Sequence, residues 1–551
     1  MSASAHANPA TGVRPRPTML TSRWSASAWG AIAVTATFIG ITCWWLTQDS
    51  SIPIFDAAYH LETAIEYHRM LQSGNLLGPF NYVLEYPPLA FLVGAFAMFV
   101  GGVNVSSPII AENLVFVSLL ALGCYQTGKL LFGARAGLLA VIFVLGSPLL
   151  IAQFHVFMLD APETALVAVS MWLILASEDF SRGRMAGLAG LAVGCGLLIK
   201  VQFPFFVAGI ILVALARGGW RNWRGLATFL AVALVVGAPW YLDHLSEFGE
   251  IARLAGEASG AAAGNTPPTF STANLLWYFW STLNSQLLAP LFLLVLGGSI
   301  WTIAAVARRR EAWGVRLEFL LGGVVAWLAI TLTPHHDLRY DMPLMPYLAV
   351  IGTGWIVQLS RIPRLAATAT LVLAVVANTL GTTFGVGGQV ETTLVRSPPA
   401  TEASPDRIVF YSNAGFLVAG PKRDGNVPGL LDALRPTGVR EVVLLVKQNG
   451  AALSSEDLRP LDMIAGLSPG LAENFESTGV NTSSTIVALI HEPVSRRSPP
   501  ACTRLSDGTG VWVARRSPTS GKIELYCPFL HPQYYWTVKH PVVVSMLSAG
   551  G

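Results

Sequence analysis

The apolar residues of this chain come in long unbroken blocks, and that constrains its fold more than any other feature. A hydrocarbon layer about 30 Å thick asks for roughly 17 to 25 apolar residues per helix, because every backbone polar group must find its partner within the segment. Blocks at 26–46, 108–130, 136–152, 161–177, 186–200, 203–216, 226–239, 283–306, 317–333, 343–359 and 365–385 predict eleven membrane spans. Several are short, and 203–216 must borrow flanking residues to cross. Of the 551 residues, 53% are hydrophobic and 12% charged, against about a quarter charged in soluble domains.

One further apolar run, Leu89 to Val100 after Pro87-Pro88, is too short to cross comfortably. The cations decide its place. With the N-terminus inside and this run not crossing, sixteen Lys and Arg residues of the first 385 face the cytoplasm, and only Arg69, Lys200, Arg253 and Arg339 face out. Lys and Arg resist translocation, so this asymmetry predicts an interfacial or re-entrant helix at 87–101. No clean small-residue cleavage site follows the first block, which is expected to remain as a span. The expected location is the plasma (inner) membrane, multi-pass, with a cytoplasmic N-terminus.

The composition changes after residue 385. Residues 1–25 read as a cytoplasmic disordered tail, 26–385 as the membrane domain, 386–402 as a Gly, Thr, Ser and Pro-rich linker, and 403–551 as a small extracytoplasmic α/β domain. In that domain Arg407 to Tyr411, Glu441 to Val446, Thr485 to Ile490, Gly510 to Ala514 and Lys522 to Tyr526 pattern as strands, with helical periodicity near Val427 to Leu434 and Ser455 to Leu467. Cys502 and Cys527 are its only cysteines and are expected to pair. No Cys/His spacing suggests structural zinc. The net charge of +3 reflects the cytoplasmic arginines and implies no nucleic-acid partner. The fold class expected is therefore an all-α polytopic membrane protein carrying a small exported domain.

The spans read as nearly free of charge, while the outer loops hold the acids, which points to chemistry at the outer interface rather than along a transmembrane pathway. The first outer loop is the richest. A helix there sets Asp56, Tyr59, His60, Thr63 and Tyr67 on one face, with Glu62, Glu66 and Arg69 on another. The plain alternative is an amphipathic helix resting on the membrane with its acids in water.

The order of an acid just after the first span, then Glu85-Tyr86-Pro87-Pro88-Leu89, Leu159-Asp160-Ala161-Pro162, Leu198-Ile199-Lys200, Pro239-Trp240-Tyr241, and Leu338-Arg339-Tyr340 leading into Pro343-Leu344-Met345-Pro346, resembles the C-type glycosyltransferase superfamily. Within it, the chain looks most like the branch of protein O-mannosyltransferases and bacterial aminoarabinose and lipopolysaccharide-core transferases. The resemblance covers about residues 26–385, and the order of the motifs, more than any one of them, makes it specific. It implies a polyprenyl-phosphate sugar donor, a cell-envelope acceptor, inversion at the anomeric carbon and a site on the outer membrane face. It places Asp56 and Asp160 as the catalytic carboxylates and Lys200, Arg339 and Tyr340 at the donor phosphate, with Tyr59, His60 and Glu85 as further candidates. Where aminoarabinose transferases carry Lys before the paired prolines, this chain has Tyr86, so their particular phosphate contact does not transfer.

Each residue keeps a simpler reading. Asp160 suits a helix N-terminus through the dipole, with Pro162 in the first turn. Lys200 and Arg339 suit snorkelling toward headgroups. Trp277, Tyr278 and Trp280 suit an interfacial aromatic belt, and the small-residue run 259–264 leaves room for a lid. His335 and Asp337 are candidate ligands for a divalent cation, although adjacent histidines rarely share one ion. Competing functions are a transporter or flippase for lipid-linked sugars and a non-catalytic membrane scaffold.

Overall fold

The computed structural model describes residues 25–48, 55–82, 86–102, 106–245, 270–308, 315–333 and 336–384, and the backbone of strands beyond residue 406. The first part is helical throughout. The helices are α1 (Ala26–Gln48), α2 (Phe55–Gln72), α3 (Leu89–Gly101), α4 (Ser106–Phe132), α5 (Ala134–Val144), α6 (Pro148–Phe154), α7 (Asp160–Ala176), α8 (Gly183–Leu197), α9 (Phe203–Ala216), α10 (Trp223–Asp243), α11 (Thr272–Ala305), α12 (Val315–Thr331), α13 (Met345–Gly354) and α14 (Arg361–Phe384). Every apolar block expected to span is helical, although 136–152 is split between α5 and α6.

The count of eleven is not reached by length. Among the described residues five helices, α1, α4, α10, α11 and α14, are long and apolar enough to cross, or six if α5 and α6 form one span bent by 70°. The short helices end where turns carry polar residues, as at Lys200 between α8 and α9. The run expected at the interface forms the 13-residue α3, with Pro88 at its N-cap.

Helices in lipid gain little from burying apolar surface against one another, so close backbone approach and polar side chains hold the bundle. Gly128 of α4 meets Gly137 of α5, where a Cβ would lie 2.8 Å from the Gly137 Cα, and Gly209 of α9 meets Gly322 of α12 in the same way. Asn113 Nδ2 donates to the Ile109 carbonyl at 2.9 Å and the Phe154 carbonyl at 2.8 Å, tying α4 to α6. The α5–α6 break frees the Gly146 carbonyl, which accepts from Asn378 Nδ2 of α14 at 2.8 Å, as backbone in a membrane requires.

Three acids contradict the expectation of charge-poor spans. Glu112 of α4, Glu163 of α7 and Glu318 of α12 are all buried. Glu318 pairs with Arg217, and Glu163 Oε2 accepts from Gln202 Nε2 at 3.1 Å. Glu163 and Glu318 thus take their partners from the two ends of α9, as an acid buried in an apolar helix requires.

Beyond residue 406, β1 (Arg407–Ser412) and β2 (Gly415–Pro421) form an antiparallel hairpin. A second sheet runs β4 (Val487–Ile490), β3 (Glu441–Val446), β6 (Gly510–Arg516), β5 (Thr503–Arg504), with β7 (Ile523–Tyr526) also on β6 and β3 parallel to β6. β1, β3, β4, β6 and β7 fall where strands were expected, whereas β2 and β5 were not foreseen. The linker, the two helical patterns, and Cys502 and Cys527 lie outside the described residues.

Candidate active site

Four segments distant in sequence converge at the ends of α2, α7 and α8 and in the loop before α13. Asp56 stands in the first turn of α2 and Asp160 opens α7, positions where a helix N-terminus favours an acid. Lys200 follows α8 in a tight turn. That turn is held from three sides: Leu89 N donates to the Leu198 carbonyl at 2.9 Å, Phe203 N to the Lys200 carbonyl at 3.2 Å, and Tyr241 Oη to the Leu197 carbonyl at 2.7 Å. The last carbonyls of α8 thus find donors despite burial.

The loop 337–341 is fixed by its own Asp337 and by α11. Asp337 Oδ1 accepts from the Arg339 backbone N at 3.0 Å, the local bond by which Asp shapes a turn. A π-helical turn at Thr282–Leu287 in α11 presents Gln286, whose Nε2 donates to the Leu338 carbonyl at 3.1 Å and to Asp341 Oδ1 at 2.8 Å. Thr282 Oγ1 bonds Asp341 Oδ2 at 2.8 Å.

These anchors bring the charges together. Lys200 Nζ lies 2.6 Å from Asp160 Oδ1, both side chains buried, and 4.7 Å from the centroid of the Tyr340 ring. Arg339 lies 2.7 Å from Asp56 Oδ2, 3.2 Å from Asp337 Oδ1 and 4.0 Å from Asp160 Oδ2. Burial opposes the charged guanidinium, yet Asp160, Asp337 and Asp56 together hold its pKa above the ordinary value. Burial raises the Tyr340 pKa, with Lys200 pulling the other way. His60, one turn after Asp56, is 2% exposed, and burial lowers its pKa to about 4 against the fields of Asp56 and Asp160. It is therefore neutral at physiological pH and packs edge-on to Tyr86 at 5.3 Å. Burial also lifts Asp341 to about 7.

The face predicted for α2 is present, with His60, Thr63 and Tyr67 buried and Asp56 at its open end, 36% exposed. Lys200 does not snorkel: it is turned inward onto Asp160. Tyr278 is not part of an aromatic belt but is fully buried, its ring 5.0 Å from His336. Glu85, His335, the side chains of Tyr59, Glu62 and Arg69, and the 259–264 run lie outside the described residues. Among the described residues no group of three His, Cys, Asp or Glu is placed to hold a metal, and Asp337 is engaged by Arg339. Sequence reasoning missed Gln286, Thr282 and Gln202; polar residues inside or beside apolar blocks were the available signal.

A family model described as dolichyl-phosphate-mannose-protein mannosyltransferase matches residues 85–242. That stretch contains Asp160 and Lys200. The fold is similar to the crystal structure of ArnT from Cupriavidus metallidurans bound to undecaprenyl phosphate, with a TM-score of 0.50, 17% identity and 65% of each chain covered. The apo crystal structure of the same ArnT gives a TM-score of 0.47 at 17% identity over 61% of each chain. No curated protein sequence matches. The chain thus spans about 65% of the length of the ArnT it matches, and the likeness is one of fold. The resemblance read in the sequence is borne out, in the family of the 85–242 segment and in the architecture around it.

Proposed function

We propose that the protein is a membrane glycosyltransferase that moves a sugar from a polyprenyl-phosphate donor to a cell-envelope acceptor at the outer face of the membrane, with inversion. The observation that carries this reading is the meeting of Asp56, Asp160, Lys200 and Arg339 in one cluster. The mannosyltransferase family match and the undecaprenyl phosphate bound in the ArnT crystal structure support the class of donor.

In the proposed reaction, Asp56 accepts the proton of an acceptor hydroxyl as its oxygen forms a bond to the anomeric carbon. The bond from that carbon to the donor phosphate oxygen breaks, and its electron pair leaves with the polyprenyl phosphate. Phosphate is a good leaving group, so cations at Arg339 and Lys200, with Tyr340 beside them, stand in for a strong acid. Asp160 orients Lys200 and the acceptor side of the site. A divalent cation at His335 and Asp337 stays a separate proposal, tested by chelation, and would have to compete with Arg339 for Asp337.

The test is transfer by purified protein in detergent, given radiolabelled polyprenyl-phosphate sugars and envelope acceptors. Asp56→Asn should abolish transfer, since a positioned base contributes roughly 100 to 10,000-fold, while Glu62→Gln should be close to neutral. Retained transfer in both Asp56→Asn and Asp160→Asn would sink this reading of the site. The outer placement is tested by reporter fusions, expected to read cytoplasmic near 222 and 310 and extracytoplasmic after 400.

A further inference from the structure

Both cations of the site are already engaged. Lys200 is held by Asp160, and Arg339 is shared between Asp56 at 2.7 Å and Asp337 at 3.2 Å. The proposed base and the proposed phosphate ligand therefore neutralise each other. A carboxylate oxygen bonded to a guanidinium is occupied, and it meets an acceptor hydroxyl only once that charge-assisted bond is given up.

The two acids hold Arg339 differently. Asp337 grips it at three points: its Oδ1 accepts from the backbone N at 3.0 Å and lies 3.2 Å from Nε, and its Oδ2 accepts from Nη2 at 3.3 Å. Among the described residues Asp56 meets it through one oxygen, from a side chain 36% exposed. An anion arriving from the open side displaces the one-point partner before the three-point partner. Asp160 gives its Oδ1 to Lys200 and faces Arg339 only at long range, Oδ2 lying 4.0 Å from Nη1.

We propose that the donor phosphate takes Arg339 from Asp56, so that the base is set free only when the donor is in place, and that Asp337 is the positioning residue that keeps the guanidinium aimed during the exchange. This rests on the reading of Asp56 as base and Arg339 as phosphate ligand. The device imposes an order on the reaction: the acceptor hydroxyl meets a competent base only after the donor has arrived.

The experiment measures binding of polyprenyl monophosphate to purified protein in detergent by calorimetry, alongside transfer. Asp56→Asn should bind polyprenyl monophosphate about tenfold more tightly, since the competing carboxylate is gone, a change of about 1.4 kcal/mol, while transfer is lost. Unchanged or weaker binding by an inactive Asp56→Asn protein overturns the exchange and leaves the base assignment standing. An active Asp56→Asn protein overturns the base assignment and this inference with it. Asp337→Asn should raise the donor KM about tenfold with kcat held within about twofold, and Asp337→Glu should restore most of the KM. A parallel fall of kcat and thermal stability in both Asp337 variants would assign it a merely structural part and overturn the positioning role.

Discussion

Lys200 donates to Asp160 at 2.6 Å across forty positions of chain, and neither side chain keeps appreciable contact with water. A buried ion pair adds little over an apolar pair of the same shape, yet removing one partner strands the other charge.

Lys200→Met should therefore destabilise the protein by about 3–5 kcal/mol and abolish transfer. Adding Asp160→Asn to it should recover part of the stability without recovering activity. Thermal unfolding of the two single variants and the double variant in detergent closes the cycle; additive losses would mean the pair is not coupled.

Arg339→Ala removes a charge-assisted contact to phosphate, worth about 1.5–3 kcal/mol. The expected signature is a donor KM raised by roughly ten to a hundredfold or more. Steady-state kinetics against donor concentration decides it, and an unchanged donor dependence would leave Arg339 only a structural partner of Asp56 and Asp337.

Asp341 should make stability depend on pH. Burial raises its carboxyl to about 7, against the hydrogen bonds from Thr282 and Gln286, whereas in the unfolded chain it titrates near 4. Between those values the folded protein holds a proton that the unfolded chain has lost, so stability is greatest at the acid end and falls as pH rises toward 7. Asp341→Asn should flatten that slope. Unfolding temperatures from pH 5 to 8 compare the two proteins; parallel curves would place the titration elsewhere.

Gly123 of α4 lies against the backbone of Ala168 in α7, with no room for a Cβ. Gly123→Val should push α7 outward and carry Asp160 away from Arg339, lowering both the unfolding temperature and transfer. Gly183→Ala, at a position with open space around it, serves as the control that should change neither by much.

Helix positions were legible in the sequence because lipid demands long apolar runs, but helix lengths were not: the 136–152 block breaks into α5 and α6, and only five or six of the described helices are long enough to cross. Asp56 and Asp160 were legible as candidates through their place in the motif order that resembles the C-type glycosyltransferases, since an acid at a helix N-terminus has a plain explanation of its own. Pairing was not. That Arg339 meets Asp56, or that Lys200 turns inward, depends on which helices lie side by side, and neither periodicity nor charge count records that. Gln286 is the clearest omission. An uncharged amide in α11 looks unremarkable until the loop it carries, at Leu338 and Asp341, is seen to hold the arginine. The expected belt at Tyr278 failed for the same reason, since an aromatic at a span end reads alike whether a neighbouring loop covers it or lipid does.

The convergence of distant segments has a consequence for biosynthesis. Asp56 leaves the ribosome 283 residues before the arginine that pairs with it, a gap of some tens of seconds at ordinary translation speed. Asp160 waits forty residues for Lys200. A nascent chain therefore carries Asp56 unmatched through most of its insertion, although Asp160 finds Lys200 early, and a ribosome that stalls before residue 339 leaves behind a helical bundle that is anchored in the bilayer but has no complete site.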